Sequence, residues 1–103
     1  LLRTINEAYK VQQLQGNNLS PFRSLYLATL GGARALDLQS HIGNFEPGKE
    51  ADFVVLDYRA TPLVQFRLER AKNITETLFV LQMLGDDRAV RETWIMGEKT
   101  FPN

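Results

Sequence analysis

The sequence predicts an α+β fold, with helices first and a small sheet after them. Three observations carry this. Apolar residues at helical spacing dominate the first third of the chain, from Leu1 to Leu30. A continuous apolar run, Phe53-Val54-Val55-Leu56, follows a Glu46-Pro47-Gly48 turn and has the length and composition of a strand. The residues from Val90 to Phe101 again read as strands, with one helical stretch, Thr75 to Leu84, between the two strand regions. Helix runs and strand runs segregate, which is the α+β arrangement.

Leu1 to Gln15 is the first helix. Leu2, Ile5 and Tyr9 repeat at helical spacing, and Gly16 suits the position just past the end. Leu1 to Tyr9 already looks like helix interior, with no Met and no capping Ser, Thr or Asp before it. The expectation is therefore that the chain is a piece of a longer polypeptide. Gly16-Asn17-Asn18 is a loop. Ser20-Pro21 opens a second helix, running to Leu30, because Ser can cap it and Pro is favoured at the first helical position. Gly31-Gly32 is expected to break this helix, with Ala33 to Leu36 forming another short turn.

After that the periodicity changes. Ile42 to Phe45 and Ala51 to Asp57 read as strands. Between them Pro47 presets φ at the second turn position and Gly48 accepts the positive φ that a type II turn needs next. Phe53 to Leu56 is apolar throughout, which predicts a central strand covered on both faces. Leu63 to Glu69 alternates: Val64, Phe66 and Leu68 against Gln65, Arg67 and Glu69. That favours an exposed strand; a loop or a short helix also fits. Thr75 to Leu84 is a helix, capped by Thr75 and ended by Gly85. Val90 to Met96 is a strand beside Phe53 to Leu56, Gly97-Glu98 a turn, and Lys99 to Phe101 a last short strand.

With 103 residues this is one domain at most, or a piece of one. A chain of this size buries roughly 60–70% of its unfolded surface, and 44% hydrophobic residues suffice for a core. Twelve basic and twelve acidic residues balance, and no Lys/Arg cluster appears, which argues against a nucleic-acid partner. No apolar run is long enough to span a membrane, and there is no signal-peptide pattern. The absence of cysteine excludes disulfides and thiolate metal sites and fits a cytoplasmic protein.

Side chains able to do chemistry are few. His41 is the only histidine, whereas a hydrolytic metal site takes several His and carboxylate ligands; beside Ser40 it reads as a surface or turn residue. Asp86-Asp87 follow Gly85 at a helix end, with Arg88 as an available partner, and read as turn residues. Gly31-Gly32 lacks the preceding strand and the following Lys-Ser/Thr of a phosphate loop. Ser20, Ser24 and Ser40 lack a nucleophile-elbow context. Trp94 and Met96 share strand spacing and read as core. Lys10, Lys49, Lys72 and Lys99 are scattered. The chain is thus expected to hold no catalytic, substrate-binding or metal-ligating residue.

Ser20-Pro21 followed by Ala28-Thr29-Leu30-Gly31-Gly32-Ala33-Arg34-Ala35-Leu36, and Ile42-Gly43 with Glu46-Pro47-Gly48-Lys49-Glu50-Ala51-Asp52-Phe53-Val54-Val55-Leu56-Asp57, resemble two segments of amidohydrolase-superfamily deaminases. Leu2 to Leu14, and Leu78-Phe79-Val80-Leu81 with Leu84-Gly85-Asp86-Asp87-Arg88-Ala89-Val90, are similar to segments of the guanine deaminases within that superfamily. The resemblance covers nearly the whole chain and is weakest over Leu63 to Asn73.

It implies a C-terminal portion of a metal-dependent enzyme built from a (β/α)₈ barrel and a small composite β-sandwich. Residues 1–38 would supply the last barrel helices, and residues 39–103 the C-terminal part of the sandwich. The implied reaction is guanine plus water to xanthine plus ammonia, through a metal-bound hydroxide. Its zinc or iron ligands would all lie on the missing N-terminal barrel. Two other readings remain: the same portion of another cyclic deaminase or chlorohydrolase, and a free-standing α+β interaction module. The resemblance also implies helices that lack their barrel partners. The expectation is an exposed apolar face of Leu2, Ile5, Tyr9, Leu25 and Leu30 that drives homo-oligomerisation.

Overall fold

The computed structural model describes residues 1–102. Among these described residues, five α-helices and one three-stranded sheet form, in the order α1 (Leu2–Leu14), α2 (Pro21–Ala28), α3 (Leu30–Ala35), β1 (Phe53–Leu56), α4 (Pro62–Leu68), α5 (Ile74–Leu84), β2 (Val90–Ile95) and β3 (Glu98–Phe101). A 3-10 turn at Asp87–Ala89 leads into β2. The α+β class stands.

The helices begin and end where the chain offers partners for their free backbone groups. At the end of α1, the Asn17 amide donates to the Gln12 carbonyl at 2.8 Å and the Gly16 amide to Gln13 at 3.0 Å. This is the paired bonding of a Schellman ending. Ser20 caps α2 through its hydroxyl, which accepts from the Arg23 amide at 3.2 Å, and Pro21 occupies the first turn. Asn73, rather than Thr75, caps α5: its Oδ1 accepts from the Glu76 amide at 2.9 Å, and Glu76 reaches back to the Lys72 amide at 2.5 Å.

Two segments differ more sharply from expectation. Residues 63–69 are helical, not an exposed strand. Thr61 caps α4 by accepting from the Val64 amide at 3.2 Å, and Pro62 stands in the first turn, repeating the Ser20-Pro21 device. The helix buries Val64 and half-buries Leu68, four residues on, while Phe66 is exposed. Residues 42–44 are bends and Phe45 is irregular, so the expected strand is absent there. Gly43 has φ +112, and a Cβ there would lie 3.0 Å from both Leu30 Cα and Ala33 Cβ. The segment is pressed onto α3, in a conformation that no strand uses.

The predicted break in the second helix falls at Thr29 (φ −123, ψ −99), and Gly31-Gly32 lie inside α3. Their lack of side chains matters for space. A Cβ on Gly31 would come within 3.0 Å of the Tyr26 carbonyl oxygen, and one on Gly32 within 3.2 Å of that of Leu27. The glycines let α3 double back against the end of α2.

The helical core centres on α5, against which α1, α2 and α4 all pack. Ile5, Leu19, Val64, Val80 and Leu81 are buried there. Tyr9 meets Phe79 edge-on, with ring centroids 5.9 Å apart. The expected open face of α1 and α2 is therefore largely used within the chain: Ile5 is buried and Leu2, Tyr9, Leu25 and Leu30 are half-buried. These contacts also join residues on either side of position 38.

In the sheet, β1 pairs antiparallel with β2, and β2 with β3, so β2 is central and β1 is an edge. The pairing of Phe53 to Leu56 with the terminal strand is as predicted; its central position is not. Val54, at 52% exposed, shows that one face of β1 is uncovered. Phe53 lies opposite Trp94 and stacks on it at 5.5 Å. Trp94 is half-buried, but Met96 is exposed rather than core. The hairpin turn is Met96-Gly97, one residue earlier than expected. Both have positive φ (52° and 79°), as a two-residue type I′ turn requires. Asp52 holds the turn to β1 by accepting from the Met96 amide at 2.9 Å. At residues 46–49 the expected turn forms, with Gly48 at φ +91 and the Lys49 amide donating to Glu46 at 3.2 Å.

Candidate functional site

His41 is exposed, and its Nδ1 lies 3.0 Å from the Ser40 hydroxyl. Among the described residues no group of three or more His, Cys, Asp or Glu side chains comes together as a metal ion would need. The donors present do not fit a zinc or iron site: a lone surface imidazole with a hydroxyl neighbour supplies neither the ligand number nor the charge.

Asp86 and Arg88 form the best-developed ionic contact. Arg88 Nη2 donates to Asp86 Oδ2 at 2.7 Å and Nε to Oδ1 at 3.1 Å, while the Arg88 amide also donates to Oδ1 at 2.9 Å. The side-chain hydrogen bonds from Arg88, then its amide, hold the Asp86 carboxyl below its ordinary range, and Asp86 raises Arg88 in turn. The pair shapes the turn into β2, as the sequence suggested.

The remaining candidates are dispersed. Ser20 is a cap, and buried Ser24 donates to the Pro21 carbonyl at 2.9 Å. Lys10 meets Glu7 at 3.2 Å. Lys49 bridges Asn44 at 2.6 Å and Glu46 at 3.8 Å inside the turn. Lys72 and Lys99 are exposed. None of these groups converges with another on a common space.

Two buried amides have no obvious signal in the sequence. Asn6 Nδ2 donates to the Met83 carbonyl at 2.7 Å and to Gln82 at 3.2 Å. These belong to the last four carbonyls of α5, which have no partner within their own helix. Gln82 Nε2 donates to the Leu19 carbonyl at 3.1 Å, tying the loop before α2 to α5. Asn6→Leu should therefore lower stability by about 1–3 kcal/mol, because it leaves two α5 carbonyls without this donor. An unchanged urea midpoint in this variant would show that water replaces the amide without cost.

One concavity lies where the helices face the sheet. It has a volume of about 460 Å³. Leu2, Ile5 and Leu25 line one side and Val54, Leu56 and Val90 the other. Arg3, Asp86 and Asp87 stand at its rim. Such a lining can bury an aliphatic surface but offers no nucleophile and no proton-transfer pair. A second cavity, about 450 Å³, lies between α4 and α5 and includes Arg67, Arg70, Phe79 and Val80. Arg70 is already committed, donating to the Phe66 carbonyl at 2.9 Å with its guanidinium 3.6 Å from the Phe66 ring centroid.

The chain matches the model of the amidohydrolase family over residues 1–100. It is 52% identical over 101 residues to the guanine deaminase of Escherichia coli (strain K12), an alignment covering 98% of this chain and 23% of that protein. It is 41% identical over 104 residues to a probable guanine deaminase of Deinococcus radiodurans, covering 98% of this chain and 24% of that one. The chain thus spans about a quarter of the length of these relatives. The solved structure of the Escherichia coli guanine deaminase superposes with a TM-score of 0.94 at 53% identity, over 97% of this chain and 23% of that chain.

Proposed function

The chain belongs to the amidohydrolase family, and from that premise we propose that it is the C-terminal, non-catalytic portion of a metal-dependent guanine deaminase. The likeness to the Escherichia coli enzyme, in sequence and in backbone, is the observation that carries this reading. The whole reaction is hydrolytic: guanine plus water gives xanthine plus ammonia. This segment's own residues contribute structure to it. The donors described above do not fit a metal, so no catalytic step is assigned to any of them, and the zinc or iron ligands belong to upstream residues.

In this reading residues 1–38 supply the last helices of the (β/α)₈ barrel, and residues 39–103 the C-terminal part of the β-sandwich. The packing of α1 and α2 on α5 supports a firm junction between the two parts. The proposal takes guanine as the substrate, the upstream residues of the same polypeptide as the partner, and a cytoplasmic homo-oligomer as the setting. Among the described residues no helix is long and apolar enough to cross a membrane.

The test is ammonia release by the intact polypeptide and by the 103-residue chain alone. The intact polypeptide should convert guanine to xanthine, read by ultraviolet absorbance, and the short chain should release none. Turnover of another aminated or chlorinated ring in place of guanine moves the assignment to a sister enzyme of the same family. Turnover by the short chain sinks the reading altogether.

A further inference from the structure

The groove between helices and sheet and the cavity between α4 and α5 differ in charge. The groove carries Asp86 and Asp87 against Arg3 at its rim. The cavity, about 450 Å³, is lined by two guanidinium groups, Arg67 and Arg70. Its floor is apolar: Pro21 and Val80 are buried there and Phe79 is half-buried. Thr75 adds a hydroxyl. A space of this size, with an apolar floor and a few convergent polar groups, suits a small organic molecule.

The two arginines are not neutralised within the chain. Neither forms an ion pair among the described residues. Glu69 accepts from the Gln65 amide group at 3.1 Å, and Glu76, a carboxylate of the lining, accepts from the Lys72 backbone amide. From Tyr58 to Glu76 the chain carries Arg59, Arg67, Arg70 and Lys72 against Glu69 and Glu76, although its overall formal charge is zero. Arg70 is also held in place. Its guanidinium lies 3.6 Å from the Phe66 ring centroid and donates Nη1 to the Phe66 carbonyl. That contact fixes the fork and leaves its other N–H donors unspent.

We propose that this cavity binds a small phosphomonoester, its phosphate held by Arg67 and Arg70 and its apolar body resting on Pro21, Phe79 and Val80. A phosphomonoester brings about −1.5 to −2 charge and several acceptor oxygens, which matches two guanidinium forks and a hydroxyl better than a single carboxylate does. Binding also relieves the repulsion between two like charges that share one cavity. A fork already fixed by Phe66 loses little freedom when the ligand arrives.

Isothermal titration calorimetry of the intact polypeptide reads this site, with phenyl phosphate, inorganic phosphate and phenol as probes. Phenyl phosphate should bind at least about tenfold more tightly than inorganic phosphate, because its ring buries against the floor. Phenol should give no binding heat. Arg67→Gln should weaken phenyl phosphate at least about tenfold, since a charge-assisted fork is lost. Arg67→Lys, which keeps the charge without the fork, should recover part of the affinity. Arg91→Gln makes the same charge change at an exposed position of β2 outside the cavity, and should alter binding by less than about twofold. Arg67 is itself exposed, so its replacement leaves the core intact. Inorganic phosphate binding as tightly as phenyl phosphate assigns the cavity to the free ion and overturns the proposal. Binding that survives Arg67→Gln places the anion elsewhere, and a polypeptide that binds no phenyl phosphate has no such site; both overturn it. The titration reads no guanine turnover, so its outcome is independent of the substrate assignment.

Discussion

Leu81→Asp should unfold the helical half of the chain. Leu81 is 4% exposed on α5, the helix that α1, α2 and α4 share as their packing surface. Replacing it forfeits the burial of a leucine side chain, worth roughly 1.5–3 kcal/mol. It also places a carboxylate where water does not reach, at a cost on the order of several kcal/mol unless the group takes up a proton. Domains of this kind are stable by about 5–15 kcal/mol in total. The expected result is loss of far-UV helical signal or a collapse of the urea midpoint, with Leu81→Met costing less than about 1.5 kcal/mol as the volume-matched control. A folded Leu81→Asp protein with an unchanged midpoint would falsify the common core around α5.

Val55→Asp should be nearly as damaging, for a reason that lies in the strand register. Val55 is half-buried on β1 and stands directly opposite Glu92 on β2. Glu92 is itself committed, since its Oε2 accepts from the Trp94 indole at 2.9 Å. A second carboxylate across from it adds like-charge repulsion to the loss of an apolar contact, and directly opposed like charges destabilise a sheet. The site is only partly buried, so the expected cost is smaller than at Leu81, about 2–4 kcal/mol. Hydrogen exchange reads it locally: amides across Phe53–Leu56 and Val90–Ile95 should lose protection together. Val55→Thr, which keeps the branched shape without a charge, should retain most of it. Protection that persists in Val55→Asp would mean that β1 is held by something other than its pairing with β2.

Much of the architecture was legible because local chemistry and tertiary need agreed. Ser20-Pro21 specifies a helix start by cap and fixed φ together, and α2 begins there. Pro47-Gly48 makes its turn because no other pair meets the two φ values so readily. Phe53 to Leu56 is a strand because four apolar residues between two aspartates can be little else.

Where local signals competed, the choice fell to packing. Thr61-Pro62 carries the same helix start as Ser20-Pro21, but the alternation after it favours a strand. The contact of α4 with α5 decided for the period that buries Val64 and spares Phe66. Thr75 and Asn73 are both good caps. Asn73 prevails because its Oδ1 reaches the Glu76 amide, while the Glu76 carboxylate accepts from the Lys72 amide one residue before the cap.

The chain's residues by themselves determined its class and most of its helix starts and turns, because caps, turn residues and apolar periods act over a few neighbours; its place in the amidohydrolase family rests instead on the match of its segments to that family. Only the tertiary structure decided that β1 is an edge, that residues 42–45 do not form a strand, and that α5 is the hub of the helical half. Asn6 and Gln82 became structural amides, and the groove gathered residues from near positions 2, 25, 54 and 87, for the same reason. Each depends on which distant carbonyl, strand edge or side chain comes within reach, and no spacing along the chain encodes that.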